Sequence, residues 1–311
     1  MQGVVQNPNL KPQKTTDYEL GFKQRLTKGS ALTLSAFYRE MRDMVTLTNV
    51  NYAFPKSYQT YDNLDFGTVK GFIMAYDLRR LGNARISANY TLQFADGTGS
   101  ASTTGANVIA SGKPNLRIPI PLDFDQRHNL SVNFDYSYGS GKGDDTYNGP
   151  KWFGKNIFAS SGANLIVKAS SGYPYTRQSN VTQDGAMGLS LTRNLTGSIN
   201  GSRLPWQYRM DMRLYKDIDM VLRKKSENKR SASVQLYLQI QNLLNTKNIM
   251  AVYRSTGNAD DDGYLGDADS QTSIQNQINE QAFRDLYTIK INNPSNYSLP
   301  RRMNLGVLFS F

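Results

Sequence analysis

Apolar and polar side chains alternate along much of this chain, in blocks roughly ten residues long. Successive side chains of an extended strand point to opposite faces, so strict alternation predicts strands with one apolar and one polar face. The clearest block sets Ile86, Ala88, Tyr90, Leu92 and Phe94 against Arg85, Ser87, Asn89, Thr91 and Gln93. Another sets His128, Leu130, Val132, Phe134 and Tyr136 against Asn129, Ser131, Asn133 and Asp135. The same pattern predicts strands over 18–26, 31–46 and 207–214, and over 234–241 with Leu236, Leu238 and Ile240 opposite Gln235, Gln239 and Gln241. Blurred alternation predicts strands at 66–78 and 156–170. The last stretch places Met303, Leu305, Val307, Phe309 and Phe311 on one face, with Asn304, Gly306 and Ser310 on the other and Leu308 the exception.

That makes about nine strands, and their connections alternate in length. Thr27-Lys28-Gly29-Ser30, Arg80-Leu81-Gly82-Asn83, a Gly/Asp-rich link after Tyr136 and a basic turn around Lys225 are the shorter ones. Between them lie long polar stretches, at about 47–65, 96–126, 171–205 and 245–300. Inside the last, Ile274, Ile278, Ala282 and Leu286 recur near helical spacing and predict a short helix.

Alternation alone also suits a soluble β-sandwich. Three features favour a transmembrane barrel. Several blocks exceed ten residues, the length of a tilted membrane strand. Aromatics such as Tyr136, Phe94, Tyr208 and Trp206 sit near block ends, where interfacial girdles belong. The polar faces carry full charges and amides, which suit a wet lumen. The fold class expected is therefore all-β: about nine antiparallel strands of a transmembrane barrel with long extracellular loops. No run approaches 18 apolar residues, which excludes a transmembrane helix and leaves a barrel untouched.

Composition adds little chemistry. The chain has no cysteine, so disulfides, thiol catalysis and Cys-ligated zinc are excluded. Its net charge is +11, yet the cations are scattered and no nucleic-acid-binding module is present, so nucleic acid is not an expected partner. The start, Met1-Gln2-Gly3-Val4, lacks the basic and apolar regions of a signal peptide. Bacterial single-chain barrels have an even number of strands. We therefore expect residues 1–311 to be part of a longer protein whose earlier strands lie upstream.

Specific motifs carry a family resemblance. The run from Asn7-Pro8-Asn9-Leu10-Lys11-Pro12 to Tyr18-Glu19-Leu20-Gly21-Phe22 resembles the signature that precedes a mid-barrel strand in TonB-dependent outer-membrane receptors. Gln239-Ile240-Gln241-Asn242-Leu243-Leu244-Asn245 is similar to a strand end in that family, with Leu244 where Phe is commoner. Residues 203–213 and 256–265 look like the SusC-like and carboxypeptidase-regulatory-like branch, and a final strand ending on Phe311 resembles the assembly signal of outer-membrane barrels. The resemblance implies the C-terminal portion of a barrel of about 22 strands, plugged by an N-terminal domain. It implies a Gram-negative outer membrane and energised uptake of a scarce nutrient such as a siderophore, glycan or peptide by the intact protein. The implied partners are outer-membrane lipid, the remainder of the receptor with its plug, the TonB complex, and a surface lipoprotein. The alternative is a non-transporting surface barrel that acts in adhesion or in assembly with another surface protein.

Candidate chemistry is sparse. His128 is the only histidine, three residues after Asp125, and no serine nucleophile or oxyanion hole can be assigned to it, so an interfacial structural role is expected. Neither paired carboxylates for hydrolysis nor a Gly-rich phosphate loop can be assigned, and no enzymatic activity is expected. Asn258, Asp260 and Asp262 followed by Gly263 match the opening of a calcium loop, with Asp269 at the closing position. A solvated acidic loop is the competing expectation. Arg223 to Arg230 reads as a solvated periplasmic turn.

Overall fold

The computed structural model describes residues 4–106, 109, 117–141, 146–178, 196–221 and 231–310. Its core element is one antiparallel sheet. Nine long strands follow one another in chain order: β1 (Lys14–Arg25), β2 (Ser30–Val50), β3 (Tyr58–Leu81), β4 (Ala84–Gly97), β5 (His128–Ser137), β6 (Ser161–Ser170), β7 (Gln207–Val221), β8 (Ser231–Gln241) and β9 (Arg302–Ser310). Each pairs with its sequence neighbours, and the sheet is open, with β1 and β9 at its edges. The expected number of strands and their antiparallel order are as found.

The register turns the sequence alternation into two continuous faces. Leu78, Ile86, Phe134, Leu165, Met212, Ile240 and Met303 stand opposite one another across β3 to β9. On the other face, Arg85, Asp135, Asn164, Arg213, Gln239 and Asn304 form an equivalent row across β4 to β9. The first row suits lipid and the second a wet lumen, as a membrane barrel wall requires. The inward face is also closely packed where rings cross strands. A Cβ at Gly306 would collide with the Tyr237 ring, and one at Gly162 with Tyr215. Glycine at both positions lets an aromatic ring lie against the neighbouring backbone.

Rings mark the two membrane surfaces. Near the long-loop end, His128 stacks at 5.4 Å on Trp206, which stacks at 6.1 Å on Tyr208. Near the short-turn end, Tyr136 meets Tyr138 edge-on at 5.3 Å. The stretch from His128 to Tyr138 extends about 33 Å along the strand direction. A tilt of about 40° converts that to roughly 25 Å of depth, the height of the apolar band of such barrels.

β2 and β3, at 21 and 24 residues, continue well past the membrane. The register slips between Met41 and Met44, where Asp43 takes φ 56°, and resumes above the slip as far as Val50 and Tyr58. The Asn-Pro motif explains how this projecting hairpin is held. Val5 N donates to Gln59 O (2.8 Å), Asn7 Nδ2 to Tyr61 O (3.0 Å), and Lys11 N to Asn63 Oδ1 (2.7 Å). Asn63 Nδ2 donates back to Lys11 O (2.9 Å) and to Asp43 O (2.7 Å). The motif thus fastens the chain before β1 to the hairpin above the membrane.

Three expectations need correction. β3 begins at Tyr58 rather than at 66, because the hairpin carries the ladder beyond the membrane. β6 begins at Ser161, because residues 152–160 form tight turns with Phe153 and Ser160 at positive φ. The single helix is two, α1 (Ala268–Gln275) and α2 (Glu280–Ile291), capped by Asp267 and Asn279. The break resets the helical phase, so Ile274 is buried while Ile278 is 109% exposed, and Tyr287 and Ile291 take the place expected of Leu286. The basic turn at Arg223–Arg230 and the terminal Phe311 lie outside the described residues.

The lipid face sets a sharp expectation for stability. Leu238 sits between Leu214 and Leu305 on the outward side. Leu238→Arg should destabilise the folded barrel by roughly 2–4 kcal/mol near the midplane, measured by reversible denaturation of the complete barrel in lipid, whereas Gln239→Arg should cost far less.

Candidate functional site at the loop end and the inward face

The inward face presents paired polar groups. Arg39 bridges Asp17 (2.6 Å), Arg80 bridges Asp135 (2.9 Å), and Arg209 bridges Asp211 (2.9 Å). Ser87 donates to Asp77 (2.9 Å) and Asn164 to Asn133 (2.8 Å). Arg213 donates to Gln235 Oε1 (2.7 Å), Gln235 donates to Asp217 (2.8 Å), and the Arg213 guanidinium lies 4.4 Å from the Tyr237 ring centre. Arg80, Arg85, Ser87, Asn133, Asp135, Asn164 and Tyr215 line one shallow concavity on this face. Such a surface offers hydrogen bonds to a hydrated solute or to a protein segment filling the lumen.

At the long-loop end, buried polar clamps take over where the ladders stop. Asp125, with its side chain 1% exposed, accepts from Ala95 N at 2.8 Å and from Arg203 Nη2. Arg203 Nη1 donates to Asp125 O (2.6 Å), and Asn200 Nδ2 donates to Pro121 O (2.9 Å) and Asp123 Oδ1 (2.6 Å). Two long loops are thereby stapled together above β4. The Leu122 side chain closes this corner over Val69 and Ala95.

The loop after β8 has its own clamp. Asn242, at φ 53°, donates to Thr246 O (3.0 Å) and Leu299 O (3.0 Å) and accepts from Thr246 N (2.9 Å). Asn248 exchanges two hydrogen bonds with the backbone of Tyr208, both at 2.8 Å. Arg301 N donates to Asn245 Oδ1 (2.9 Å). The strand-end motif is therefore the hinge pin of the longest loop. The family-like motifs include Asn242, Asn245 and Arg203, whereas nothing in the sequence points to Asn200 or Asn248.

The residues singled out from sequence fare differently. His128 lies in the upper ring belt, its Nδ1 sharing a 2.9 Å hydrogen bond with the Tyr90 hydroxyl. The oxygens of Asp125 go to Ala95 and Arg203, so the two residues form no catalytic pair. Asn258, Asp260, Asp262 and Asp269 are not gathered around one point. Asp262 is buried, accepting from Tyr264 N (3.0 Å) and the Tyr287 hydroxyl (2.6 Å). The Asp260 carboxylate faces Tyr297, and burial, reinforced by that charge, raises the phenol above its usual range. Asp269 lies in the first turn of α1, behind the Asp267 cap. Among the described residues no three carboxylate or histidine side chains are grouped as a metal ion would require. Through the Asp262–Tyr287 hydrogen bond the acidic loop is joined to the small core of Tyr264, Ile274, Tyr287 and Ile291.

Comparison with known proteins identifies the wall. The family described as TonB dependent receptor-like, beta-barrel, matches residues 1–243. The chain belongs to this family. A TonB-dependent receptor barrel is an outer-membrane structure, which agrees with the apolar belt and its two ring girdles. The outer membrane transporter YddB from Escherichia coli is similar in fold, with a TM-score of 0.50 at 12% identity over 80% of this chain and 31% of that one. FpvAI in its complex with pyocin S2 gives a TM-score of 0.51 at 10% identity over 96% of this chain and 28% of that one. The chain thus spans less than a third of the length of either solved structure. No curated protein matches it.

The buried clamps should show in protease sensitivity. Arg203→Ala removes the closest partner of the buried Asp125 carboxylate and leaves it only Ala95 N and the more distant Arg127, at 3.7 Å, so cleavage within 98–126 should accelerate. Arg209→Ala, on an exposed pair, should have little effect. In the acidic loop, Tyr287→Phe should loosen the chain around Tyr264 by roughly 1–3 kcal/mol, while a chelator should leave its cleavage rate unchanged.

Proposed function

We propose that this chain is the C-terminal wall of a receptor that takes up a scarce nutrient across the outer membrane, driven by energy delivered through TonB. The observation that carries this reading is the partition of the sheet. One face is a lipid belt, and the other is a lattice of ion pairs and amides that is useful only where water, a solute or a plug meets it. The rows through Arg85, Asp135, Asn164 and Arg213 face that space, and the stapled loops above them form the outer vestibule. In this reading β1 and β9 pair with strands of the same receptor. A plug domain fills the lumen, and the TonB complex engages the receptor through its N-terminal part. The solute is a polar or chelated nutrient of the siderophore, glycan or peptide kind, and a surface lipoprotein capping the vestibule is a compatible partner.

The test uses the complete receptor in cells. A strain lacking it should grow poorly on one limiting nutrient from a panel of ferric chelates, glycans and peptides. Complementation should restore growth, and a protonophore should abolish short-term accumulation of that nutrient. Growth and accumulation that depend on neither the receptor nor the protonmotive force, in every medium, would contradict the proposal.

A further inference from the structure

The connection between β5 and β6 exposes more apolar surface than a periplasmic turn requires. Trp152 and Lys155 exchange two backbone hydrogen bonds of 3.0 Å, closing a two-residue hairpin at its tip. The two tip residues are Phe153 at φ 51° and Gly154 at φ 74°. Such a turn demands positive φ at both positions and ordinarily takes Asn or Asp followed by Gly. A bulky side chain in that conformation is an outlier, and backbone strain of this kind persists where function or surroundings hold it. Here the strained Phe153 is 92% exposed, with Trp152 beside it at 6.4 Å and the exposed Ile157 and Phe158 following.

The placement of this hairpin indicates what covers it. Lys216 lies on the lipid-facing side of β7, in register with Leu236, and its Nζ donates to Ile157 O (2.5 Å) and Ala159 O (2.8 Å). A lysine on the apolar face thus ties the turn to the outward side of the wall rather than to the lumen. The Phe158 ring lies 6.1 Å from Tyr138, which in turn contacts Tyr136 and Tyr147. The hairpin therefore prolongs the lower aromatic belt, and Lys151 and Lys155 flank its tip. Rings at the headgroup level and cations beside anionic phosphates are the chemistry of an interfacial anchor.

We propose that residues 151–158 are a membrane anchor that inserts Trp152 and Phe153 into the headgroup–acyl boundary of the periplasmic leaflet of the outer membrane, with Lys151 and Lys155 meeting phospholipid phosphates and Lys216 as the positioning residue. Outer-leaflet contact is excluded by the position of the hairpin at the short-turn end. The experiment places a nitroxide on Phe153→Cys and, separately, on Ile157→Cys in the complete receptor, with any cysteines elsewhere replaced; this chain itself has none. The receptor is reconstituted in vesicles of phosphatidylethanolamine and phosphatidylglycerol. Relaxation by oxygen should exceed relaxation by a water-soluble nickel chelate several-fold at both sites, and the order should reverse at Lys56→Cys in the β2–β3 loop. Adding Lys216→Met should raise nickel access at the Phe153→Cys label; no change would overturn the positioning role. A Phe153→Cys label as open to nickel as the Lys56→Cys label would overturn the anchor. So would one shielded from both reagents, which would instead indicate contact with a second copy or another protein.

Discussion

The structure depends on one constraint: in hydrocarbon, every backbone N–H and C=O must find a partner within the protein. An antiparallel ladder does this only while its register is unbroken. Within the membrane depth the long strands keep that register apart from a slip between Leu78 and Leu81 at the short-turn end, and the large slip in β2 and β3 falls above the belt, at Met41 to Met44. Because side chains alternate strictly along an unbroken strand, the same constraint delivers the two faces. A lipid belt and a polar lumen are thus consequences of backbone pairing together with a sequence that alternates in phase with it.

Where the ladders end, another rule applies. Loops above the membrane meet water and can vary, but segments buried against one another must still satisfy their polar groups. This chain does so with side chains: Asn63, Asn200, Asn242 and Asn248 substitute for backbone partners, and Asp125 with Arg203 joins two loops through a buried ion pair. A buried pair is weak evidence for net stability and good evidence for a fixed arrangement once formed. The loop ends of the wall are therefore a shaped surface rather than a fringe of coil.

The wall was legible in the sequence for the same reason that it is stable. In β4 and β5 the alternation Ile86 to Phe94 and His128 to Tyr136 is direct, because both faces meet contrasting solvents. The alternation in β3 is blurred because the inward side carries Val69, packed with Leu122, Phe37 and Met41, and Gly71 beside the Phe37 ring, where a local packed corner replaces water. Apolar Ile157 and Phe158 read as strand over 156–160, whereas positive φ at Phe153 and Ser160 turns the chain instead. Helical spacing across 274–286 was misleading because capping by Asn279 starts a second helix in a new phase. Short carboxylates serve turns and caps as well as metal ions, and in the acidic run Asp262 and Asp267 make such turn and cap bonds. Clamps such as Asn248 to Tyr208 join residues 40 apart in the chain and have no local sequence signal.

The central claim is that one face of this sheet meets lipid and the other water. Single cysteines placed in turn at Asn129 through Asp135 of β5, in the complete receptor in its native membrane, test it most directly. Reaction with a membrane-impermeant thiol reagent, applied to permeabilised outer-membrane vesicles, should alternate with period two. Positions 129, 131, 133 and 135 should react wherever the lumen is open, and positions 130, 132 and 134 should stay protected until detergent is added. Equal labelling along the whole run, or protection confined to the odd positions, would contradict the account.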